Sequence, residues 1–192
     1  QENTSKPSRT LLTRAFTHPT SFEPWFVRYP EQENLLRDLY EGLTAYDSEG
    51  RIVPGIAESW QTKDNKTWIF TLREGLRWSN GDPLVAQDVM LSWQALSQSN
   101  SPLRSYLAYL NLKNAKGVLE KNKPFKSLGI YAENDRTLRI ELDKPTPYLP
   151  EMLAHISLVP QYSDPDSPVT NGAYMIESEN VKSIHLAKNP YY

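Results

Sequence analysis

The sequence predicts a mixed α/β (α+β) fold. Trp68, Phe70 and Leu72 alternate along residues 67–73 with threonines, an isoleucine and an arginine, the period of two that is typical of a half-buried strand. The sequence Asn-Gly-Asp-Pro at 80–83 then indicates a tight turn. From residue 86 to 96 the apolar side chains recur on one face of a predicted helix. A strand, a turn and a helix in succession, within 192 residues, favour a globular chain with its own core.

Composition narrows the functional classes. Twenty-one basic and 23 acidic residues give a net charge of −2, which argues against a nucleic-acid binder. Apolar residues make up 39% of the chain, as in globular proteins, and no apolar run is long enough to span a bilayer. The absence of cysteine excludes disulfides, thiol chemistry and cysteine-bound metals.

The first elements follow from apolar spacing and from residues that end helices and strands. Residues 10–17 predict a strand, and two prolines within 18–24 predict a turn. A helix is predicted after residues 31–34, with Gly42 near its C-terminal end. Its predicted apolar face consists of Leu35, Leu36, Leu39, Tyr40 and Leu43.

Turn and loop residues divide the rest of the chain. Residues 121–126, with three lysines, are interpreted as a solvated basic loop.

Val85 offers no side-chain cap to the helix that begins at 86, at a cost of about 1 kcal/mol. Asp88 offsets part of that cost through the helix dipole. The other predicted elements are short helices at 106–110, 114–120 and 145–153, a hairpin of strands at 128–132 and 137–142, a crossing segment at 160–168, and strands at 174–178 and 183–187.

Five motifs together resemble a known family. They are PGIAESW at 54–60, FTLREGLRW at 70–78, NGDPLVAQDV at 80–89, RDLYEGL at 37–43 and KNPYY at 188–192. This set is similar to the solute-binding proteins of peptide ABC transporters, and most similar to the periplasmic oligopeptide-binding proteins. The likeness is collinear from about residue 11 to residue 192.

The resemblance implies a type II-like periplasmic solute-binding fold. It divides the chain into a flexible leader at 1–10, part of lobe I at 11–43 and 169–192, and lobe II at 44–168. Proteins of the family are longer and carry a third lobe, so we expect either a piece of such a protein or a shortened member. Sheet edges left without their neighbours are expected to promote self-association.

The resemblance also indicates which residues contact a ligand. In the family, an extended segment before the first helix binds a peptide through main-chain hydrogen bonds, which makes affinity independent of side-chain identity. In the matching segment Arg28 stands where the family has a carboxylate, and Pro30 has no N–H to donate. The ligand-binding residues expected from the resemblance are Trp25, Val27, Arg28, Tyr29, Pro30 and Leu103, the last in place of a tyrosine that follows a Ser-Pro pair.

Alternatives stay open at three of these positions. Arg28 either receives an anionic group of the ligand through a charge-assisted pair or is an ordinary surface arginine. Trp25 and Tyr29 either line the cleft or pack in the interior.

No motif for catalysis, a cofactor or a metal is recognised. His18, His155 and His185 lack the spacing of metal ligands, and residues 75–81 lack the lysine of a phosphate-binding loop. No nucleophile motif occurs. The sequence therefore predicts a non-enzymatic protein with no cofactor and no metal.

The function implied by the resemblance is the capture of oligopeptides in the periplasm and their delivery to the membrane permease of an ABC importer. A monomer is expected when the protein is full length, and a lipid anchor is compatible with this role. Two alternatives stay open. The same fold could bind a lipid, haem or small anionic solute, or a shortened protein could act as a scaffold that binds no small ligand.

Overall fold

The computed structural model describes residues 11–15, 36–163, 169–179 and 183–192. The strands are β1 (Leu11–Ala15), β2 (Thr44–Tyr46), β3 (Ile52–Pro54), β4 (Ala57–Thr62), β5 (Thr67–Leu72), β6 (Ile130–Ala132), β7 (Thr137–Glu141), β8 (Tyr174–Glu179) and β9 (Ser183–Lys188). The helices are α1 (described at 36–39), α2 (Ala86–Gln98), α3 (Tyr106–Tyr109), α4 (Ala115–Leu119) and α5 (Leu149–Met152). Three single turns of 3₁₀ helix occur at Pro102–Ser105, Phe125–Ser127 and Ile156–Leu158. The mixed α/β class is confirmed.

The described strands form three antiparallel sheets. The largest has four strands in the order β4-β5-β7-β6, and the hairpin predicted at 128–142 supplies two of them. A second sheet pairs β2 with β3. The third has the order β1-β9-β8, so the first described strand pairs with the last, Leu11 facing Ala187.

Strand β5 and helix α2 form as their apolar spacing predicts. Trp68, Phe70 and Leu72 are buried, and the residues between them are half-buried. On α2, Trp93 and Leu96 are buried in the same core cluster as the inward residues of β5 and β7. Burial of such large apolar side chains contributes about 1.5–3 kcal/mol each. The elements at 101–128 and 149–159 pack against this core.

Helix α2 begins without a side-chain cap, as predicted. Val85 has the extended backbone of an N-cap residue, but its side chain makes no capping bond. The side chain of Asp88 accepts the N–H of Val85 at 2.9 Å, which supplies one half of a capping box. Burial raises the pKa of Asp88, and its hydrogen bonds with the Val85 amide and the Trp78 side chain oppose that rise.

Two turns differ in detail from the prediction. Leu43 is buried as expected, but α1 ends at residue 39, and Gly42 does not have a positive φ. Glycine is required at 42 because a Cβ there would lie 2.8 Å from the carbonyl oxygen of Leu153. In the turn at 80–83 only Gly81 has a positive φ, of 89°, whereas Asn80 accepts the N–H of Asp82 with its side-chain oxygen.

Two chain segments cross in close contact beside the core. The N–H of Gly172 donates to the carbonyl of Leu39 at 2.7 Å. A Cβ at Gly172 would lie 2.5 Å from the carbonyl carbon of Leu39, so only glycine allows this approach. Asn171 and Asn189 are buried on either side of the contact, and the side chain of Asn189 donates to the carbonyl of Gly172 at 3.0 Å.

Candidate functional site

Leu103 is the one expected ligand-binding residue that lies within the described part of the chain. It occupies the 3₁₀ turn Pro102–Ser105, directly before α3. The buried hydroxyl of Ser101 accepts the N–H of Leu103 at 3.1 Å, and Pro102 stands at the first position of the turn. The Ser-Pro pair thus starts a helical turn in the way these residues favour. As a result, the half-buried side chain of Leu103 is presented at a fixed point of the surface.

An aromatic cluster follows Leu103 in the chain. The rings of Tyr106 and His155 stack with centroids 3.7 Å apart and planes inclined by 19°. Tyr109 meets Tyr106 edge-on at 5.6 Å, and 61% of Tyr109 is exposed. Aromatic pairs in these two geometries are favourable by about 0.5–1.5 kcal/mol beyond the area that they bury. The cluster provides a rigid apolar surface that is open to solvent on the side of Tyr109.

The imidazole of His155 is held in place by the turn that it begins. Its Nδ1 accepts the N–H of Ser157 at 3.2 Å and lies 2.7 Å from the hydroxyl oxygen of Ser157. His155 is therefore the N-cap of the turn Ile156–Leu158, with its ring also fixed by Tyr106. No local sequence pattern relates Tyr106 to His155, and the histidine was predicted only to lack the spacing of a metal ligand.

A cavity of about 180 Å³ lies beside this surface, between the ends of the crossing segments. Ala154 and Ile156, the chain neighbours of His155, line part of it. Its other lining residues are Arg37, Tyr40, Glu41, Gly42, Thr44, Ala45, Tyr46, Val159, Gly172, Ala173 and Tyr192. The cavity is thus built from α1, from the strand that follows it and from the returning segment at 172–173.

Glu41 is the acidic group of this cavity. Burial raises the pKa of its carboxyl, while a hydrogen bond with the Tyr192 side chain and the charge of Arg73 lower it by smaller amounts. The pKa of Tyr192 is raised to about 12, first by burial and then by the charge of Glu41. The main chain of Glu41 is fixed by Asn171, which binds both its N–H and its carbonyl.

The remaining expected ligand-binding residues, Trp25, Val27, Arg28, Tyr29 and Pro30, lie outside the described residues. Their roles stay predictions. So does the role of Leu103 as a ligand contact, although its position just before Tyr106 places it near the aromatic cluster.

The described ranges contain no group of three or more His, Asp or Glu side chains arranged to hold a metal ion. In the same ranges, none of the helices combines the length and the apolar character needed to cross a bilayer.

Comparison with known proteins supports the resemblance carried by the motifs. The family model described as bacterial extracellular solute-binding proteins, family 5 Middle, matches residues 51–192. A putative binding protein of Haemophilus influenzae is 57% identical, over 100% of this chain and 38% of the relative. The periplasmic oligopeptide-binding protein OppA of Salmonella typhimurium is 37% identical, over 96% of this chain and 36% of its own length.

A solved structure extends the likeness to three dimensions. It is the Haemophilus influenzae OppA complex with the peptide RPPGFSPFR, which matches with a TM-score of 0.86 and 35% identity. The match covers 91% of this chain and 37% of that one. This chain accordingly spans less than two-fifths of the length of the relatives that it matches. The expected type II periplasmic binding-protein fold is confirmed, and the chain belongs to the bacterial extracellular solute-binding proteins of family 5.

Proposed function

We propose that this chain is part of a carrier that captures oligopeptides outside the cytoplasm and delivers them to the permease of an ABC importer. The observation that carries the proposal is the likeness to a peptide-bound OppA, with 35% identity and a TM-score of 0.86 over 91% of this chain. A relative at that identity over nearly the whole chain shares the fold. The role of carrier, without chemical conversion or a cofactor, is what a solute-binding family implies.

Ligand capture in this proposal uses main-chain hydrogen bonds from the segment at 27–30 and side-chain contacts around it. Main-chain bonding accepts many peptide sequences, and the neighbouring side chains then set preference. Trp25, Arg28 and Leu103 are the proposed side-chain contacts. Leu103 supports an apolar preference at its position because it has no hydroxyl to pair with a polar ligand group.

The proposed closing motion is a hinge movement that brings the third lobe, carried by the longer proteins of the family, towards the part described here. Lobe II would comprise 44–168, and part of lobe I would comprise 11–43 and 169–192. Two features tie the two segments of lobe I to each other: the hydrogen bond from Gly172 to Leu39 and the reciprocal bonds between Asn171 and Glu41. Hinges between lobes are commonly formed by a few residues at the ends of elements. Closure would shield the ligand from solvent and present a single closed conformation to the permease.

We propose that the protein lies in the periplasm, as its similarity to a periplasmic relative indicates, and that a lipid anchors it to the membrane. Intact-mass measurement of the protein from its own host would test the anchor, since diacylation adds a defined mass to the N-terminal residue. The full-length protein is proposed to be a monomer.

Native mass spectrometry of the full-length protein, purified from its host, tests the proposed ligand class. Co-purified peptides, released on denaturation, are the expected result. A lipid, haem or other small adduct instead would overturn the peptide assignment while keeping the carrier role. A protein that is empty, and stays empty when incubated with peptide libraries, would overturn the carrier role in favour of a scaffold.

A pair of variants tests Leu103 directly. Leu103→Tyr should change the set of peptides retained from a library, because it adds a ring and a hydroxyl to the turn that leads into Tyr106. Leu91→Tyr is the matched control, since Leu91 is an exposed leucine on the outer face of α2. If Leu103→Tyr and the control both retain the same peptides as the unaltered protein, Leu103 does not contact the ligand.

A further inference from the structure

A lysine-rich surface lies on α4 and the turns that follow it. We call it the lysine platform: Lys116, Lys121, Lys123 and Lys126, together with Phe125. Residues 120–126 are all exposed. Within 116–126 four lysines and one glutamate, Glu120, give a net charge of +3, in a chain whose net charge is −2. Positive charge is therefore concentrated here.

The platform rests on a fixed base. Ala115, Val118 and Leu128 anchor it in the main core. The side chain of Asn114 donates to the carbonyl of Ser127 at 2.8 Å and so ties the start of α4 to the end of the following turn. Because this surface is already formed, a partner would bind it without the entropy cost of ordering a loop.

Lys123 is held within this base. Its stem packs over Gly117, where a Cβ would lie 3.0 Å from the lysine Cδ, and its ammonium donates to the side chain of Asn114 at 2.8 Å. The neutral amide orients the ammonium without cancelling its charge.

Carboxylates do not neutralise the platform. Some other cations of the described chain are paired, as Arg136 is with Glu58 and Glu74 and Arg139 is with Glu133. Over residues 36–163 and the other described ranges, no salt bridge involves any of the four platform lysines.

The exposed side chains of the neighbouring helix are also without charge. Helix α2 packs against α4 and against the turn Phe125–Ser127. Its exposed residues are all neutral: Gln87, Leu91, Ala95 and Gln98. The positive potential of the lysines therefore reaches solvent without compensation from this helix surface.

Phe125 distinguishes between the possible partners. It follows the exposed Pro124 and stands between Lys123 and Lys126, with 37% of its surface exposed. An acidic protein would be matched by the lysines alone. An exposed aromatic ring bordered by lysines instead fits a bilayer surface, where the ring enters the headgroup region and the ammonium groups meet lipid phosphates.

We propose that the lysine platform, with its exposed Phe125, binds reversibly to anionic phospholipid headgroups such as phosphatidylglycerol. Each lysine contributes about fivefold in affinity at an anionic surface. A few lysines and one ring thus give weak, salt-sensitive binding, suited to a carrier that must leave the membrane as well as meet it.

Co-sedimentation of the purified full-length protein with vesicles tests the proposal. Binding is expected to vesicles that contain phosphatidylglycerol, to be lost at high salt, and to be absent with phosphatidylcholine alone. The triple variant Lys121→Gln, Lys123→Gln, Lys126→Gln should bind about 100-fold more weakly. Phe125→Ser should weaken binding severalfold without changing its salt dependence.

A matched triple variant controls for net charge. Lys63→Gln, Lys66→Gln, Lys144→Gln removes the same three charges from exposed positions that are interspersed with Asp64 and Asp143. It should bind within about twofold of the unaltered protein, because these lysines are not part of the lysine platform. Circular dichroism would verify that both triple variants are folded.

Three results would overturn the proposal. The first is an equal loss of binding in the two triple variants, and the second is equal binding to neutral and anionic vesicles. The third is that the protein does not sediment with anionic vesicles but binds an acidic protein through the platform lysines. Peptide binding is not a readout of any of these experiments, so they remain decisive whatever the ligand of the carrier.

Discussion

Asn171 holds the main chain of Glu41 by two hydrogen bonds. The Glu41 N–H donates to Oδ1 of Asn171 at 3.0 Å, and Nδ2 of Asn171 donates to the Glu41 carbonyl at 2.8 Å. Asn171→Ala leaves both main-chain groups without these partners, so we expect the free energy of unfolding to fall by about 2–3 kcal/mol. Urea unfolding followed by circular dichroism measures the change.

Asn122→Ala is the control for this substitution. Asn122 is exposed, and its side chain makes only a long contact with Glu120, of 3.5 Å. Its loss should change the free energy of unfolding by less than about 0.5 kcal/mol. Similar effects of the two substitutions would show that the bonds to Glu41 add nothing to stability.

Two buried tryptophans should respond differently to loss of the indole nitrogen. The Trp93 N–H donates to the carbonyl of Leu158 at 3.0 Å, whereas the Trp68 N–H has no partner among the described residues. Trp93→Phe leaves the carbonyl of Leu158 without this partner. The free energy of unfolding should therefore fall by about 1–3 kcal/mol more in Trp93→Phe than in Trp68→Phe. Chemical denaturation of the two variants side by side gives the difference; equal losses would mean that only side-chain volume matters.

Helix α2 should accept an N-terminal cap. Val85 already has the extended backbone of an N-cap residue, with φ −127° and ψ 167°. Val85→Thr replaces a methyl group with a hydroxyl that can accept an N–H of the first turn, and should raise the free energy of unfolding by about 1 kcal/mol. Val53→Thr, in β3, is the control, because no helix begins there and no gain is expected. A loss of stability in Val85→Thr would show that burial of the hydroxyl outweighs capping.

Glu41 should make stability depend on pH. Burial raises the pKa of its carboxyl above the ordinary value of 4.5. As pH rises above 4.5, the unfolded chain releases this proton before the folded chain does, so the contribution of Glu41 to stability is greatest below 4.5 and declines as pH rises towards the folded pKa. Relative to Glu41→Gln, the unaltered protein should therefore lose stability over this window.

Denaturant unfolding at a series of pH values measures that difference. Tyr192→Phe removes a hydrogen bond that lowers the pKa of Glu41, so the decline should extend to higher pH in this variant. A flat difference between the unaltered protein and Glu41→Gln would contradict the raised pKa.

The sequence predicted those elements whose pattern arises from a single buried face. Strand β5 alternates and α2 has one apolar stripe, so periodicity identified both. Strand β4 was missed because its register shifts between Ala57 and Ser59, and the bulge leaves Glu58 and Ser59 exposed in succession. The family motifs indicated the fold, since their residues Gly42 and Gly55 are set by close main-chain contacts that admit no side chain.

The candidate site was less accessible to sequence reasoning. The turn Pro102–Ser105, which holds Leu103, was not predicted, although Ser101 and Pro102 favour its start. The stack of Tyr106 on His155 joins two distant segments, and neither shows a local pattern that depends on the other. The reciprocal bonds of Asn171 to Glu41 are likewise a product of the crossing of two segments.

The pairing of β1 with β9 has a consequence for the order in which the molecule is completed. Leu11 faces Ala187, so nearly the whole described sequence must be synthesised before β1 has a neighbour. The hairpins β4-β5 and β6-β7 close over short loops and can form early. Loop-closure entropy grows only logarithmically with length, so the delay costs little at equilibrium. Until β9 arrives, however, β1 exposes unpaired main-chain groups, and another nascent chain could occupy its place.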